Sequence, residues 1–319
     1  MLTVAWQFFF CFMSQIKLPI IAAIAFGIAY LCTPMTVPLC KRIGAIDMPD
    51  GVRKINVVPK PRLGGLSFFL ACFIVLFPLV GESESVAALL AGGALIVAGG
   101  VADDAFDMPP RFKLFIQAAA SLVTVFFIGL PDEFSFFGLI RVPLSGLFGF
   151  IFVVTRLIFT VNAVNFSDGL DGLASGLSAT ALFALFIYGS ANSNTVPALA
   201  ALVLGSAVLG FLPYNKYHAK VFMGDSGSQF LGLAIAILSL GNAPGGNFTL
   251  ETSLFLAVPT VDTALSVVRR VIKGKSPFVA DKGHLHHILL KSGVSHPLAV
   301  NLLVAASALI ALTALLIAL

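Results

Sequence analysis

The chain has 319 residues, of which 58% are hydrophobic and only 11% charged, and its mean hydropathy is +1.01. A soluble domain of that length needs more polar surface than this composition supplies, so repeated apolar runs point to a helical membrane protein. The alternating segments of a transmembrane barrel are absent, and the formal charge of +4 is informative by position rather than by sum.

Taken in chain order, the apolar runs predict ten spans near 18–40, 64–81, 86–102, 114–130, 146–161, 176–190, 195–212, 228–241, 251–268 and 297–319. The expected fold is all-α: one polytopic integral membrane domain over residues 1–319 with about ten transmembrane helices. Leu2–Met13 is too short to span and is followed by Lys17 and Pro19, so it reads as an interfacial lead-in or as part of a split first helix. No basic stretch precedes it, and no cleaved signal peptide is expected. Cys11, Cys32, Cys40 and Cys72 lie in or beside apolar segments without a CxxC pair and read as small packed hydrophobes.

The loops alternate in character. Those at 41–63, 103–113, 162–175, 213–227 and 269–296 hold 16 of the 19 Lys and Arg. The opposite loops carry Glu82, Glu84, Asp132, Glu133 and Arg141, with Glu251 heading the next span. The positive-inside rule therefore places the first set in the cytoplasm and both termini outside.

The chemistry-bearing residues fall in that first set. Arg53, Lys54, Lys60 and Arg62 give the first loop a basic character, which serves topology, anionic headgroups or a phosphate substrate. Asp103-Asp104-Ala-Phe-Asp107 sets adjacent carboxylates at a membrane edge, where they repel unless a cation or proton is present. That suits a divalent metal or proton abstraction, against the plainer reading of a solvated acidic helix end. Asn162-Ala-Val-Asn165-Phe-Ser-Asp168-Gly-Leu-Asp171-Gly172 is a turn-rich loop whose acceptors and backbone N–H groups suit a nucleotide's base and ribose. Phe222-Met-Gly224-Asp225-Ser-Gly227-Ser228 supplies an aromatic, two glycines for close phosphate approach and a carboxylate for Mg²⁺. Arg269 and Arg270 with Lys273 and Lys275 precede His284-Leu-His286-His287, which holds three of the five histidines. No cysteine accompanies them, so contact with a pyrophosphate fits better than zinc.

These strings together resemble a known family. Arg53 to Gly65 is similar to its first cytoplasmic motif, and the other loops match its DDxxD, NxxNxxDGxDGLA, FxGDxGS and HxHH motifs in order, from about Lys41 to His287. The family is the polyprenyl-phosphate N-acetylhexosamine-1-phosphate transferases. Asp107, where MraY-type enzymes usually have Lys, and the HxHH spacing place the resemblance in the WecA/TagO branch, although Asn56 stands where that branch often has His.

The resemblance implies transfer of HexNAc-1-phosphate, GlcNAc by default, from a UDP-sugar to undecaprenyl phosphate, with UMP released and Mg²⁺ (or Mn²⁺) as cofactor. It implies Asp225 as chief metal ligand, Asp103 at the lipid phosphate, and Asp104 supporting it or the metal. Asn162, Asn165, Asp168 and Asp171 would line the nucleotide site, Phe222 would stack on uracil, and His284, His286 and His287 would meet the pyrophosphate. Lys54, Arg62, Gly224, Arg269 and Arg270 complete the expected substrate contacts. Expected partners are undecaprenyl phosphate, a UDP-HexNAc and membrane lipids, with a homodimer possible and no nucleic acid. The expected location is the bacterial inner membrane, with the site facing the cytoplasm. The competing readings are MraY-type chemistry and a polyprenyl-sugar transporter. A transporter should carry ionisable residues at mid-membrane, where only Arg156 and Asp262 lie, and Asp262 reads as a packing residue.

Overall fold

A computed structural model describes residues 2–48, 58–241, 247–274 and 283–319. Lys54, with Arg53, Asn56 and Lys275, lies outside the described residues. Helix α1 (Leu2–Ile43) leads into a short antiparallel pair, β1 (Ile46–Asp47) with β2 (Lys60–Pro61). Helices α2 (Gly65–Leu76, extended by one 3₁₀ turn), α3 (Glu84–Phe106) and α4 (Pro110–Ile128) follow. A hairpin of β3 (Glu133–Phe136) and β4 (Ile140–Pro143) then precedes α5 (Gly146–Ser167), α6 (Leu173–Ala191), α7 (Thr195–Asn215) and α8 (Gly224–Gly241). Strand β5 (Phe248–Thr249) joins β3 in parallel, and α9 (Leu250–Leu254), α10 (Ala257–Ile272), α11 (Leu285–Lys291) and α12 (His296–Ala318) complete the described chain.

Every expected span is helical, but not every one is a long membrane helix. Seven helices among the described residues are long and apolar enough to cross a membrane. Of the other three expected spans, α2 has 12 residues, α10 has 16, and α8 opens with a polar turn from Gly224 to Gln229. The span expected at 251–268 is interrupted between α9 and α10. The lead-in Leu2–Met13 is no separate element, since α1 runs unbroken through Pro19. The small strands, absent from an all-α expectation, occupy loops at both ends of the bundle.

Local chemistry sets the helix ends that matter for the site. Ser83 caps α3 by accepting the Val86 N–H at 3.4 Å, with Glu84 in the first turn favoured by the helix dipole. The same helix stops at Asp107, whose φ of 47° is left-handed, a conformation that Asp tolerates better than most residues. Pro110 then opens α4, where its missing N–H costs nothing.

Helix α8 is the centre of the bundle. It is buried from Ser226 to Leu240, as expected of a helix that is apolar all round after its first turns. It packs against α3, α5 and α2. Small residues allow the close approach: a Cβ on Gly232 would lie 2.5 Å from the Val161 Cα, and one on Gly100 would lie 2.4 Å from the Ser226 Cα. The antiparallel passes bring the C-termini of α3, α5, α7 and α10 to one end with the N-termini of α4, α6, α8 and α12. The described parts of all five loops singled out in the sequence converge there.

Candidate active site

The first turn of α8 is built around Asp104. Its Oδ1 accepts the Asp225 N–H at 2.9 Å, while Oδ2 accepts the Ser226 N–H at 3.1 Å and the Ser226 hydroxyl at 2.9 Å. A carboxylate from α3 thus caps α8, satisfying its orphan donors and complementing its dipole. Gly224 makes the turn possible. Its φ is +70°, and a Cβ there would lie 2.0 Å from the Arg62 carbonyl and 2.5 Å from Asp104 Oδ2. Gly224→Ala should therefore lower stability by about 1–3 kcal/mol through strain and overpacking. A lower melting temperature in detergent together with lost activity is the expected result.

With Asp104 fixed, Asp225 faces Asp103. The three carboxylates each present an oxygen within 4.8 Å of the others, a group able to hold a metal ion. Lys113, from the first turn of α4, lies between two of them: its Nζ is 2.7 Å from Asp103 Oδ2 and 2.7 Å from Asp225 Oδ2. The remaining oxygen of Asp103 accepts the Met108 N–H at 2.8 Å. Burial would raise the Asp225 carboxyl, but Lys113, aided by Asn165, holds it below the ordinary carboxylate value. The oxygen donors suit a hard cation, and the ammonium already shows that positive charge is stable at this position.

A chain of amides orients Asp225 from behind. Asn162 Nδ2 donates to Gln117 Oε1 at 2.8 Å, Gln117 Nε2 to Gln229 Oε1 at 3.1 Å, and Gln229 Nε2 to Asp225 Oδ2 at 2.9 Å. Asn165 donates to Ser228 Oγ at 2.8 Å and lies 3.3 Å from Asp225 Oδ1. Asn165 is thus engaged with α8 and Asn162 with Gln117 of α4, so neither is left free for a ligand.

The carboxylates open into a cavity of about 840 Å³. Of the residues singled out in the sequence, Lys60, Arg62, Asp107, Asn165, Asp168, Asp171, Phe222, Gly224 and His287 line it together with the three acids. Arg62 pairs with Asp47 and approaches Asp107 at 3.5 Å. Burial, then the charges of Asp225, Asp104 and Asp171, push Asp168 well above the carboxylate range, with Arg62 opposing them. Asp171 Oδ2 accepts the Ala219 N–H at 2.9 Å, and Lys60 Nζ donates to the Ala219 carbonyl at 2.5 Å, which ties three loops together.

The other expected contacts among the described residues sit behind this wall. Asn162 belongs to the amide chain. His284 and His286 are buried, and their rings stack at 5.7 Å. His286 abuts Gly169, where a Cβ would lie 2.5 Å from its Nε2. Burial, then His287 and His284, push His286 down to about 4, so it is a neutral ring near pH 7 and not a cation for a pyrophosphate. Arg270 is buried over the Phe166 ring at 5.8 Å, and Arg269 lies beside Gly283.

Several cavity residues escape the sequence reading: Lys113, Asp47, Asn215, Tyr217, His218 and His296. Lys113 looks like a topology charge at the head of a span. The remaining two histidines offered a usable signal, because both fall in loops already assigned to the same face. Tyr217 lies against both imidazoles, at ring distances of 3.8 Å from His218 and 4.6 Å from His296.

Comparison with known proteins identifies the family. Residues 86–242 match the model of glycosyl transferase family 4. The chain is 33% identical over 286 residues to a probable undecaprenyl-phosphate N-acetylglucosaminyl 1-phosphate transferase of Bacillus subtilis, covering 87% of this chain and 79% of that protein. It is 34% identical over 313 residues to a decaprenyl-phosphate N-acetylglucosaminephosphotransferase of Mycobacterium tuberculosis, covering 88% and 77%. An undecaprenyl-phosphate alpha-N-acetylglucosaminyl 1-phosphate transferase of Escherichia coli is 31% identical over 284 residues, covering 86% and 76%.

Proposed function

We infer the reaction from one premise, that the chain belongs to glycosyl transferase family 4, among its polyprenyl-phosphate N-acetylglucosamine-1-phosphate transferases. The protein is a multi-pass membrane enzyme that transfers GlcNAc-1-phosphate from UDP-GlcNAc to undecaprenyl phosphate and releases UMP. It thereby starts a lipid-linked glycan of the cell envelope. The observation that carries this reading is the carboxylate cluster with Lys113 in its midst, at the end of the bundle and open to a cavity large enough for a nucleotide sugar. The clustering of Lys and Arg in the loops of that end supports a cytoplasmic face at the inner membrane.

The chemistry joins two anions. An oxygen of the lipid phosphate attacks the β-phosphorus of the UDP-sugar, the bond to the α-phosphate oxygen breaks, and UMP leaves. One phosphoanhydride replaces another, so the step lies near equilibrium. The catalytic task is to bring negative charges together in line. Asp225 and Asp103 are the residues that would hold Mg²⁺, with Mn²⁺ an alternative, and Asp104 keeps them in register. When bound, the ion supplies charge neutralisation and orientation. Asp103 holds the proton away from the attacking oxygen, and Lys113 offers a fixed cation to the phosphates. Asp168, Asp171 and Phe222 receive the nucleoside, and His287, which lines the same cavity, meets the pyrophosphate.

The direct test uses purified protein with Mg²⁺, labelled UDP-GlcNAc and undecaprenyl phosphate. Label should become butanol-extractable, and none from any UDP-sugar would sink the enzyme reading. A second expectation concerns Lys113. Lys113→Met should cut kcat by ~10²-fold, the scale of one preorganised charge. It should also move the acid limb of the pH–rate profile upward, because the group that lowers Asp225 is gone while its burial remains. An unmoved limb would show that Lys113 does not set that titration.

A further inference from the structure

Asp262 lies in α10, buried at 7% exposure, and neither the reaction nor the cavity lining requires it. Both of its oxygens are nevertheless engaged on one target. Oδ2 is 2.9 Å from His284 Nδ1, and Oδ1 accepts the Leu285 N–H at 2.9 Å. His284 is the N-cap residue of α11 and Leu285 its first residue, so a single carboxylate grips the ring and the backbone at the start of the histidine motif. His284 is itself 6% exposed, with its ring 5.8 Å from Phe166 and 5.7 Å from His286 in parallel stacking.

We propose that Asp262 is the positioning residue of the histidine motif, fixing His284 as the Nδ1–H form and seating α11 so that His287 faces the cavity. The chemistry follows from the partners. A carboxylate only accepts, so Nδ1 must carry the proton, and Nε2 is left as the variable nitrogen. The bond to the Leu285 N–H supplies a capping acceptor that His284 does not provide, since its side chain makes no cap bond to α11. His287 is three residues beyond His284 and lies on the same helix turn, so a shift at the cap is transmitted to the residue at the cavity wall. The catalytic consequence rests on the transferase reading above; the tautomer and the cap do not.

Asp262→Asn separates the two functions. The amide oxygen still accepts the Leu285 N–H and preserves the cap, while the amide N–H₂ group donates to Nδ1 and drives the ring to the Nε2–H form. The expected result is a melting temperature in detergent near that of the wild type, a kcat lower by ~10–100-fold as for other residues that orient a functional His, and KM values for both substrates changed far less. Histidine-selective ¹⁵N spectra should show His284 Nδ1 protonated in the wild type and unprotonated in the variant. Wild-type kcat in a variant whose tautomer has inverted would overturn the proposal. So would a wild-type spectrum with Nδ1 unprotonated, a result that stands even if the variant cannot be purified. If the wild type transfers no sugar, the transferase reading fails, while the spectra still decide the tautomer.

Discussion

Asp225→Asn is expected to reduce kcat by at least ~10³-fold, about 4 kcal/mol of transition-state stabilisation. The substitution keeps the size and the hydrogen-bonding reach of the side chain, so the fold should survive. Its backbone N–H still meets Asp104 Oδ1, and an amide oxygen can still accept from Gln229. What disappears is the charge that Lys113 and Asn165 attend. Metal affinity should fall with activity, which Mn²⁺ binding followed by electron paramagnetic resonance reads without turnover. Retained activity at ordinary Mg²⁺ concentrations would remove Asp225 as chief ligand. Intact Mn²⁺ binding with lost activity would instead assign its charge to the phosphates.

Asp225 was legible as a candidate in the sequence because it sits between glycines in a loop separating two apolar runs, and breaks between apolar runs are what a membrane sequence reveals best. The same signal gave the helices, since a segment long enough to cross a bilayer has few other ways to satisfy its backbone. It did not anticipate lengths at α8, which is buried inside the bundle and opens with a polar turn, or at α2 and α10, which are short and expose one apolar face. Contacts between helices were not legible. Asp104 reads in the sequence as support for Asp103 or the metal, and the approach of α3 to α8 at Gly100 adds a role that could not be read there, as a cap on α8. Lys113 looked like a topology charge until α4 brought it to α8. Asn162 shares a motif with Asn165 but rotates toward Gln117, and Asp262 read as packing until α10 met the histidine loop. In each case the residue type was informative and the partner came from elsewhere in the chain.

Asp103→Asn should collapse the rate while sparing the donor. Asp103 lies in the last turn of α3, with Oδ1 held by the Met108 N–H and Oδ2 by Lys113. The amide retains an acceptor for Met108, so the turn leading to α4 should persist. Its charge is lost, and with it the ability to keep a proton off the attacking phosphate oxygen. General-base contributions of this kind amount to ~10²–10⁴-fold in rate. On the proposed division, donor binding falls to Asp168, Asp171 and Phe222, which line the same cavity, so isothermal titration with the UDP-sugar should give a dissociation constant close to that of the wild type. A large loss of donor affinity would contradict this division of labour. The same variant bears on the route of transfer. If Asp103 were itself phosphorylated, wild-type enzyme given UDP-sugar without lipid should release one UMP per site in a burst and yield a trappable phospho-enzyme. Asp103→Asn would then abolish that burst. Direct attack predicts no burst from either protein, because the lipid phosphate is the nucleophile and nothing is released until it arrives.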